Sequence, residues 1–549
     1  LRNFGWFKSF RYAVERLSMI KNNLFSFILG CALIFTSLLL PQVLQAEVPS
    51  IKPWFKQAVL LKSYQQSFDW LTPWEKREIR TQTGMALVVR LPLMKNSETA
   101  GTFQNQGLHL LTTAEMVADA TLLEVTRKDI RQPFQAKLVL MDYAANLALL
   151  NIEDSNFWDG LKPIEWSPVK SKSKADTENI YSFKIKSTQE WEVESGTIEL
   201  MTVGHRGVSD AWLPLLKLSG ISKSGQGFPL LQDNETVGMI LEAGKDGAKA
   251  IPTQMLIEFL AHAGSASYKS LAHRGFSWRR LPQRSTADYF QIPQELPGIW
   301  ISRILPYGTG SDVLQRGDYL TKIGKWPLSH DGKIQHSEWG LSLFDLLFLD
   351  QLKVGDSLEL ELIRDGKPLV LPTRVSAYEE DGRTVPLKRV GHPPRYVIQG
   401  GFLFQELSLN YLSMWGANWR TRAPVRLRLF LEQNKTVLMD DNFKRVKAES
   451  ASKNTEPATR IVLVTQVIPD EINIGYQKLS NAIVLRINGQ QIRRLKDVSE
   501  AFLNPEMEFH RIDFLPGSDR LSVVLTVAGL KQSNLRIKNN FRIPKLQSY

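Results

Sequence analysis

Apolar residues come along this chain in short runs punctuated by glycine, proline and small polar residues, and few stretches carry a helical period. Such a pattern predicts short strands joined by tight turns, and hence a mainly β fold. After an aromatic and charged stretch from Trp54 to Arg80, Thr83–Val89 is a β-branched and apolar run that suits a buried strand. Gly107–Val117 follows, then alternating segments at Thr121–Thr126 and Phe134–Met141, then Asp142–Leu150. The succession predicts a pair of β-barrels.

One apolar run is of another kind. Leu24–Leu40 is preceded by Lys21 and followed by Pro41–Ala46, the basic, hydrophobic and small-residue order of a secretory signal. Translation is then expected to start at Met19, residues 1–18 to be upstream translation, and cleavage to follow Ala46, which makes the protein periplasmic. An uncleaved leader is the alternative, because the run is close to spanning length and would tether the protein to a membrane. Cys31, the only cysteine, lies inside this run. The exported part therefore has no disulfide and no thiol site.

At 549 residues the chain exceeds what one core holds, and several domains are expected. Hydrophobic content of 43% and charged content of 23% are those of ordinary globular protein. The formal charge is +12, of which residues 1–46 carry +4, five basic residues against one acidic, leaving +8 dispersed over the remainder. The densest basic run, Arg420, Arg422, Arg426 and Arg428, reads as a solvated face, so nucleic acid is not an expected partner. Metal-ligand clusters, phosphate loops and dinucleotide motifs do not occur, and no cofactor is expected.

The informative chemistry lies in Ser222–Leu231, Ser-Lys-Ser-Gly-Gln-Gly-Phe-Pro-Leu-Leu. This stretch resembles the nucleophile loop of a chymotrypsin-fold serine protease, Gly-x-Ser-Gly-Gly-Pro, with its nucleophile missing. Aligned on Pro229, Gln226 stands for the serine, Ser224 for the oxyanion glycine, and Phe228 for one of the flanking glycines. Leu111–Val117, Asp142–Leu150, Val237–Ile240 and Ala250–Pro252 extend the resemblance, which is to the HtrA/Deg family of trypsin-like proteases over roughly Thr83–Leu260. The family histidine is matched by Glu115 and its aspartate by Asn146, so no triad member is intact. A carboxylate is a weaker base than imidazole, an amide holds no charge to orient it, and glutamine has no proton to yield. Glu115 and Gln226 are able instead to hydrogen-bond to each other, which would turn the former cleft into a structural contact.

The residues also admit a displaced nucleophile, Ser224, with Lys223, His109 or His205 as base. Against it, His109 sits in an alternating strand pattern that suits a packed histidine, His205 reads as a solvated turn residue, and Asp142 as a turn acid.

From Gly275 the chain changes character. Gly298–Ile304, Asp312–Gly324 and Val354–Lys367 resemble a PDZ domain, in which a peptide adds as a strand to a sheet edge and a loop of N–H groups holds its carboxylate. The candidate peptide-binding residues are Gly275, Phe276, Ser277 and Trp278. Arg395–Phe404, Leu409–Leu412, Val464–Val467, Asp470–Tyr476, Ile487–Gln490 and Phe541–Pro544 resemble the second, divergent PDZ domain of plant-type Deg proteases. Lys447–Thr459 reads as a mobile insertion. The expected architecture is a leader (1–46), a chymotrypsin-like double β-barrel (47–262), and two PDZ-like α+β domains (263–385 and 386–549). The resemblance implies a homo-oligomer, a trimer or a multiple of trimers, with polypeptide clients or C-terminal peptides as partners. Two functions remain beside a binding scaffold or chaperone: an active endopeptidase using Ser224, and a regulatory subunit of an active protease of this family.

Overall fold

The computed structural model describes residues 50–549 except 92–106, 131, 170–178, 186–189, 206–211, 264–269, 282, 306–307, 338–339, 378–383, 417, 434–437, 440–444, 447–458 and 519. The leader and nearly all of the Lys447–Thr459 insertion lie outside the described residues.

The first barrel is built from β1 (Ala58–Gln65), β2 (Arg80–Arg90), β3 (Leu108–Thr112), a short helix α1 (Ala114–Val117), β4 (Ala120–Thr126), β5 (Phe134–Gln135), β6 (Lys137–Asp142) and β7 (Leu147–Asn151). Its strands run in the order β5-β4-β1-β2-β3-β7-β6. The two ends of that path, β5 and β6, are separated in the chain by Ala136 alone, so the sheet has to curl round on itself. The second barrel closes completely, in the order β10-β13-β12-β11-β8-β9. Its strands are β8 (Asn179–Ile185), β9 (Trp191–His205), β10 (Trp212–Ser219), β11 (Pro229–Gln232), β12 (Glu235–Gly244) and β13 (Gly247–Pro252). Helix α2 (Thr253–Ala263) leaves it.

The apolar run read as a buried strand owes its continuity to the junction between the barrels. Successive side chains of a strand point to opposite faces. In β2, Ala86 and Val88 enter the core of the first barrel, whereas Met85, Leu87 and Val89 enter the larger core shared with the second. Strand β7 divides in the same way, Ala148 and Leu150 against Leu147 and Leu149. Neither Met85–Val89 nor Leu147–Leu150 has a solvent face, so neither run alternates with polar residues. The candidate chemistry sits beside these strands: Asn146 directly before β7, Glu115 in α1 after β3, and Gln226 in the loop before β11.

The third body contains β14 (Ala272–His273), β15 (Phe276–Arg279), α3 (Arg284–Tyr289), β16 (Ile299–Ile304), β17 (Tyr319–Ile323), β18 (Trp326–Pro327), the hairpin β19 (Lys333–His336) and β20 (Gly340–Leu343), a turn of 3-10 helix at Phe344–Leu346 leading into α4 (Leu347–Asp350), β21 (Ser357–Arg364), β22 (Lys367–Arg374) and β23 (Ser376–Ala377). The main sheet runs β15-β16-β17-β21-β22, with β15 at one end. Leu346 and Leu349 pack with Val203 of the second barrel.

The fourth body, from Val385 onward, has the sheet β32-β31-β29-β28-β25-β24-β33. Its elements are β24 (Tyr396–Gln399), β25 (Phe402–Glu406), α5 (Leu409–Leu412), α6 (Trp419–Arg422), α7 (Val425–Gln433), β26 (Leu438–Met439), β27 (Arg445–Val446), β28 (Val462–Val467), β29 (Ala482–Ile487), β30 (Gln490–Gln491), α8 (Leu495–Ala501), β31 (Phe509–Phe514), β32 (Ser522–Thr526), α9 (Val527–Asn540) and β33 (Gln547–Ser548). The link between β1 and β2 of the first barrel reaches into this body. Trp70 joins its hydrophobic core, Trp74 lies 5.9 Å from the Tyr396 ring, and Gln466 Nε2 donates to the Leu71 carbonyl at 3.1 Å. On the same side, the Gly391 amide donates to Asp119 at 2.8 Å.

Candidate functional site

Thr113 caps α1, its Oγ1 accepting the Met116 amide at 3.3 Å, and so places Glu115 in the first turn of the helix. The turn Asp142–Asn146 precedes β7. Asp142 accepts the Ala145 amide at 2.9 Å, and Asn146 adopts φ 56°, a left-handed conformation that asparagine tolerates. The loop carrying Gln226 is tied across the barrel junction by the Met85 amide, which donates to the Gln226 carbonyl at 2.9 Å. Gly227, at φ 81°, allows this approach, since a Cβ there would stand 2.0 Å from the Met85 carbonyl oxygen.

These elements bring together Glu115, Asn146 and Gln226, the residues that the resemblance matches to a triad. Gln226 Nε2 donates to Glu115 Oε2 at 3.0 Å, and Gln226 Oε1 accepts from Thr113 Oγ1 at 2.8 Å. The Glu115 amide donates to Asn146 Oδ1 at 3.1 Å. The bond foreseen between Glu115 and Gln226 is thus present. The Gln226 amide is thus engaged on both of its functional atoms. Asn146 Nδ2 is buried with no hydrogen-bond partner among the described residues.

Ser224, the alternative nucleophile, is 5% exposed. Its hydroxyl faces the Phe183 carbonyl at 2.6 Å and Glu194 Oε2 at 3.0 Å. It has a single proton to share between two acceptors, and no histidine is among its hydrogen-bond partners in the described residues. His109 is 2% exposed, places Nδ1 3.2 Å from the Gly107 carbonyl, and has its pKa lowered by burial. It is a packed, neutral strand histidine. His205, read as a turn residue, is instead the last residue of β9 opposite Trp212, because the strand runs longer than its turn-like sequence suggests. Lys223 is exposed. Asp142 is a turn acid and also accepts from Ser270 Oγ at 2.7 Å.

Sequence reasoning missed Glu194 altogether. This side chain of β9 accepts the amides of Ser222, Lys223 and Ser224. Burial raises its carboxyl pKa, yet these donors and the Ser224 hydroxyl outweigh burial and leave it below the usual value of 4.5. An acid in a strand looks like any other surface charge until the partner loop is known.

The candidate peptide site is arranged differently from a loop of free amides. The Gly275 amide donates to the Thr309 carbonyl at 2.8 Å, and a Cβ on Gly275 would meet Gly308 at 2.5 Å. Phe276, Ser277 and Trp278 lie in β15 and pair with Ile304, Arg303 and Ile301. Phe276 is 1% exposed and stacks on Phe344 at 5.9 Å, and Trp278 tilts onto the same ring at 5.9 Å. Bulky rings at these positions favour a packed strand over an amide cradle. Arg274 is buried too, 4.5 Å from the Trp212 ring centroid and 2.8 Å from Asp345. Among the described residues no cluster of His, Cys, Asp and Glu is suited to a metal, and no helix is long and apolar enough to cross a membrane.

Residues 385–549 match the family described as PDZ domain. Putative protease Do-like 3, mitochondrial, of Arabidopsis thaliana is 22% identical over 463 residues, covering 83% of this chain and 76% of that protein. Protease Do-like 2, chloroplastic, of the same plant is 23% identical over 491 residues, covering 87% and 72%. The solved HtrA-type protease AlgW with tripeptide aligns with a TM-score of 0.44 and 16% identity, over 60% of this chain and 98% of that one. Over most of its length the chain is similar to Do-like proteases of the HtrA/Deg family.

Proposed function

We propose that this protein is a pseudoprotease that binds polypeptides as a scaffold or chaperone, and that it does so as an exported, periplasmic homo-oligomer. The observation that carries the reading is the Gln226 side chain, held by Thr113 on one side and Glu115 on the other where a nucleophile would stand. Acyl transfer needs a nucleophile that a base can deprotonate, and Gln226 has no hydroxyl or thiol for the weakly basic Glu115 to activate. Strand β15, at the end of its sheet, supports binding by strand addition, a mode that draws its affinity from main-chain hydrogen bonds.

Labelling of the purified chain with a fluorophosphonate, alongside casein digestion, tests the reading. Neither reaction is expected. Labelling that disappears in Ser224→Ala would establish an active endopeptidase in its place. Client capture is tested by suppression of aggregation of an unfolded protein, with loss expected on proline substitution within Ser277–Arg279. Assembly is tested by sedimentation, where a trimer or a multiple of it is expected.

A further inference from the structure

Three successive backbone amides converge on one carboxylate. Glu194 lies in β9 opposite Ser182 of β8 and is 9% exposed. Its Oε1 accepts the Ser222 amide at 2.9 Å, the Ser222 hydroxyl at 3.2 Å and the Lys223 amide at 3.0 Å. Its Oε2 accepts the Lys223 amide at 3.1 Å, the Ser224 amide at 3.0 Å and the Ser224 hydroxyl at 3.0 Å. Consecutive N–H groups turned towards one point form a concavity that selects an anion. The last of them, Ser224, stands where the resemblance places one of the two donors that stabilise the developing oxyanion in an active relative.

We infer that residues 222–224 form a carboxylate-binding nest whose resident ligand is the Glu194 side chain, an internal anion that takes up the Ser224 amide, one of the two donors the resemblance assigns to the oxyanion site. The inference deepens the pseudoprotease reading and takes its functional meaning from it: one oxyanion donor is already engaged by an internal anion, beside the triad substitutions that the resemblance implies. The nest is preorganised by the second barrel, since Ser224 Oγ also contacts the Phe183 carbonyl in β8 and Ile221 is fully buried. Its ligand class is therefore a small carboxylate, and removal of Glu194 vacates a site of that specificity.

The test is Glu194→Ala in the full chain, with sodium acetate as probe and sodium chloride at equal ionic strength as control. Hydrogen exchange at the Ser222–Ser224 amides is expected to accelerate by about ten- to a hundredfold, the factor that hydrogen bonds to a charged acceptor are worth. Acetate is expected to slow exchange again in a saturable manner, and chloride to leave it unchanged. Exchange as slow as in the parent chain, or acceleration that acetate reverses no better than chloride, would overturn the inference. Should the alanine variant not fold, Glu194→Gln keeps the shape and removes the charge. Faster exchange at the same three amides is then expected, and unchanged exchange would overturn the inference. Fluorophosphonate labelling of the same variants reports separately on the pseudoprotease reading: a labelled chain would overturn that reading without bearing on the acetate result.

Discussion

The guanidinium of Arg274 lies 4.5 Å from the centroid of the Trp212 ring, so a residue of the linker before the first PDZ-like sheet is seated on a strand of the second barrel. Asp345, in the turn leading into α4, closes the other side at 2.8 Å, and both charged side chains are 4% exposed. Burial raises the Asp345 carboxyl and Arg274 opposes that rise. Removing one partner of a buried pair strands the other, at a cost of about 3–5 kcal/mol. Arg274→Met is therefore expected to lower the urea midpoint markedly. Arg274→Met with Asp345→Leu should recover much of the loss, which equilibrium unfolding of the single and double variants will measure.

Glu194 gives a pH dependence of definite sign. Its folded pKa is depressed, so its contribution is fully present above about pH 4.5 and is lost as pH falls through the lower folded value. The melting temperature should accordingly drop below pH 4.5 more steeply in the parent chain than in Glu194→Gln, which has no charge to lose. Parallel acid profiles of the two proteins would contradict this.

Restoring a serine alone will not restore an enzyme. In Gln226→Ser the neighbours are still a carboxylate and an amide, and fluorophosphonate labelling is expected to remain absent. Gln226→Ala should cost about 1–3 kcal/mol, the penalty for leaving the buried Thr113 hydroxyl and the Glu115 carboxylate without their partner. Chemical denaturation will give that value.

The two loop glycines should respond unequally to alanine. Gly227→Ala forces a left-handed backbone and drives Cβ to 2.0 Å from the Met85 carbonyl, in a position fixed by two barrels. At least about 1–3 kcal/mol is expected from the backbone alone. At Gly225 the nearest atoms belong to the Phe228 ring, at 2.7 Å, and a side chain yields more readily than a main chain. Gly225→Ala should be the milder change in thermal melting.

The barrels and both PDZ-like sheets were legible because their signals are local: continuous apolar runs where a strand is buried on both faces, alternation where it is not. The contact between Glu115 and Gln226 was legible because each could be placed by resemblance, Gln226 through its spacing to Pro229 and Glu115 within Leu111–Val117. Three things were not. Strand β1 (Ala58–Gln65) lies within a stretch whose aromatic and charged residues mask its pattern. Gly275–Trp278 reads as a binding loop by position, whereas Phe276–Arg279 pairs with β16 as a strand and packs Phe276 and Trp278 on Phe344. Glu194 acts through amides 28 to 30 residues further along, a relation set by barrel closure, which no local pattern encodes.

The reach of Trp70 into the fourth body has a consequence for the order in which the chain matures. Leu71 and Gln466, which share a hydrogen bond, are 395 residues apart in sequence. At synthesis rates of about 5–20 residues per second, the segment between β1 and β2 waits on the order of 20–80 s for its docking partner to exist. Throughout that interval two tryptophans of a nearly finished barrel are left without the surface that receives them. The first barrel can close early, but its outer wall is completed last, and a molecule truncated before Val385 would carry that unfinished wall permanently.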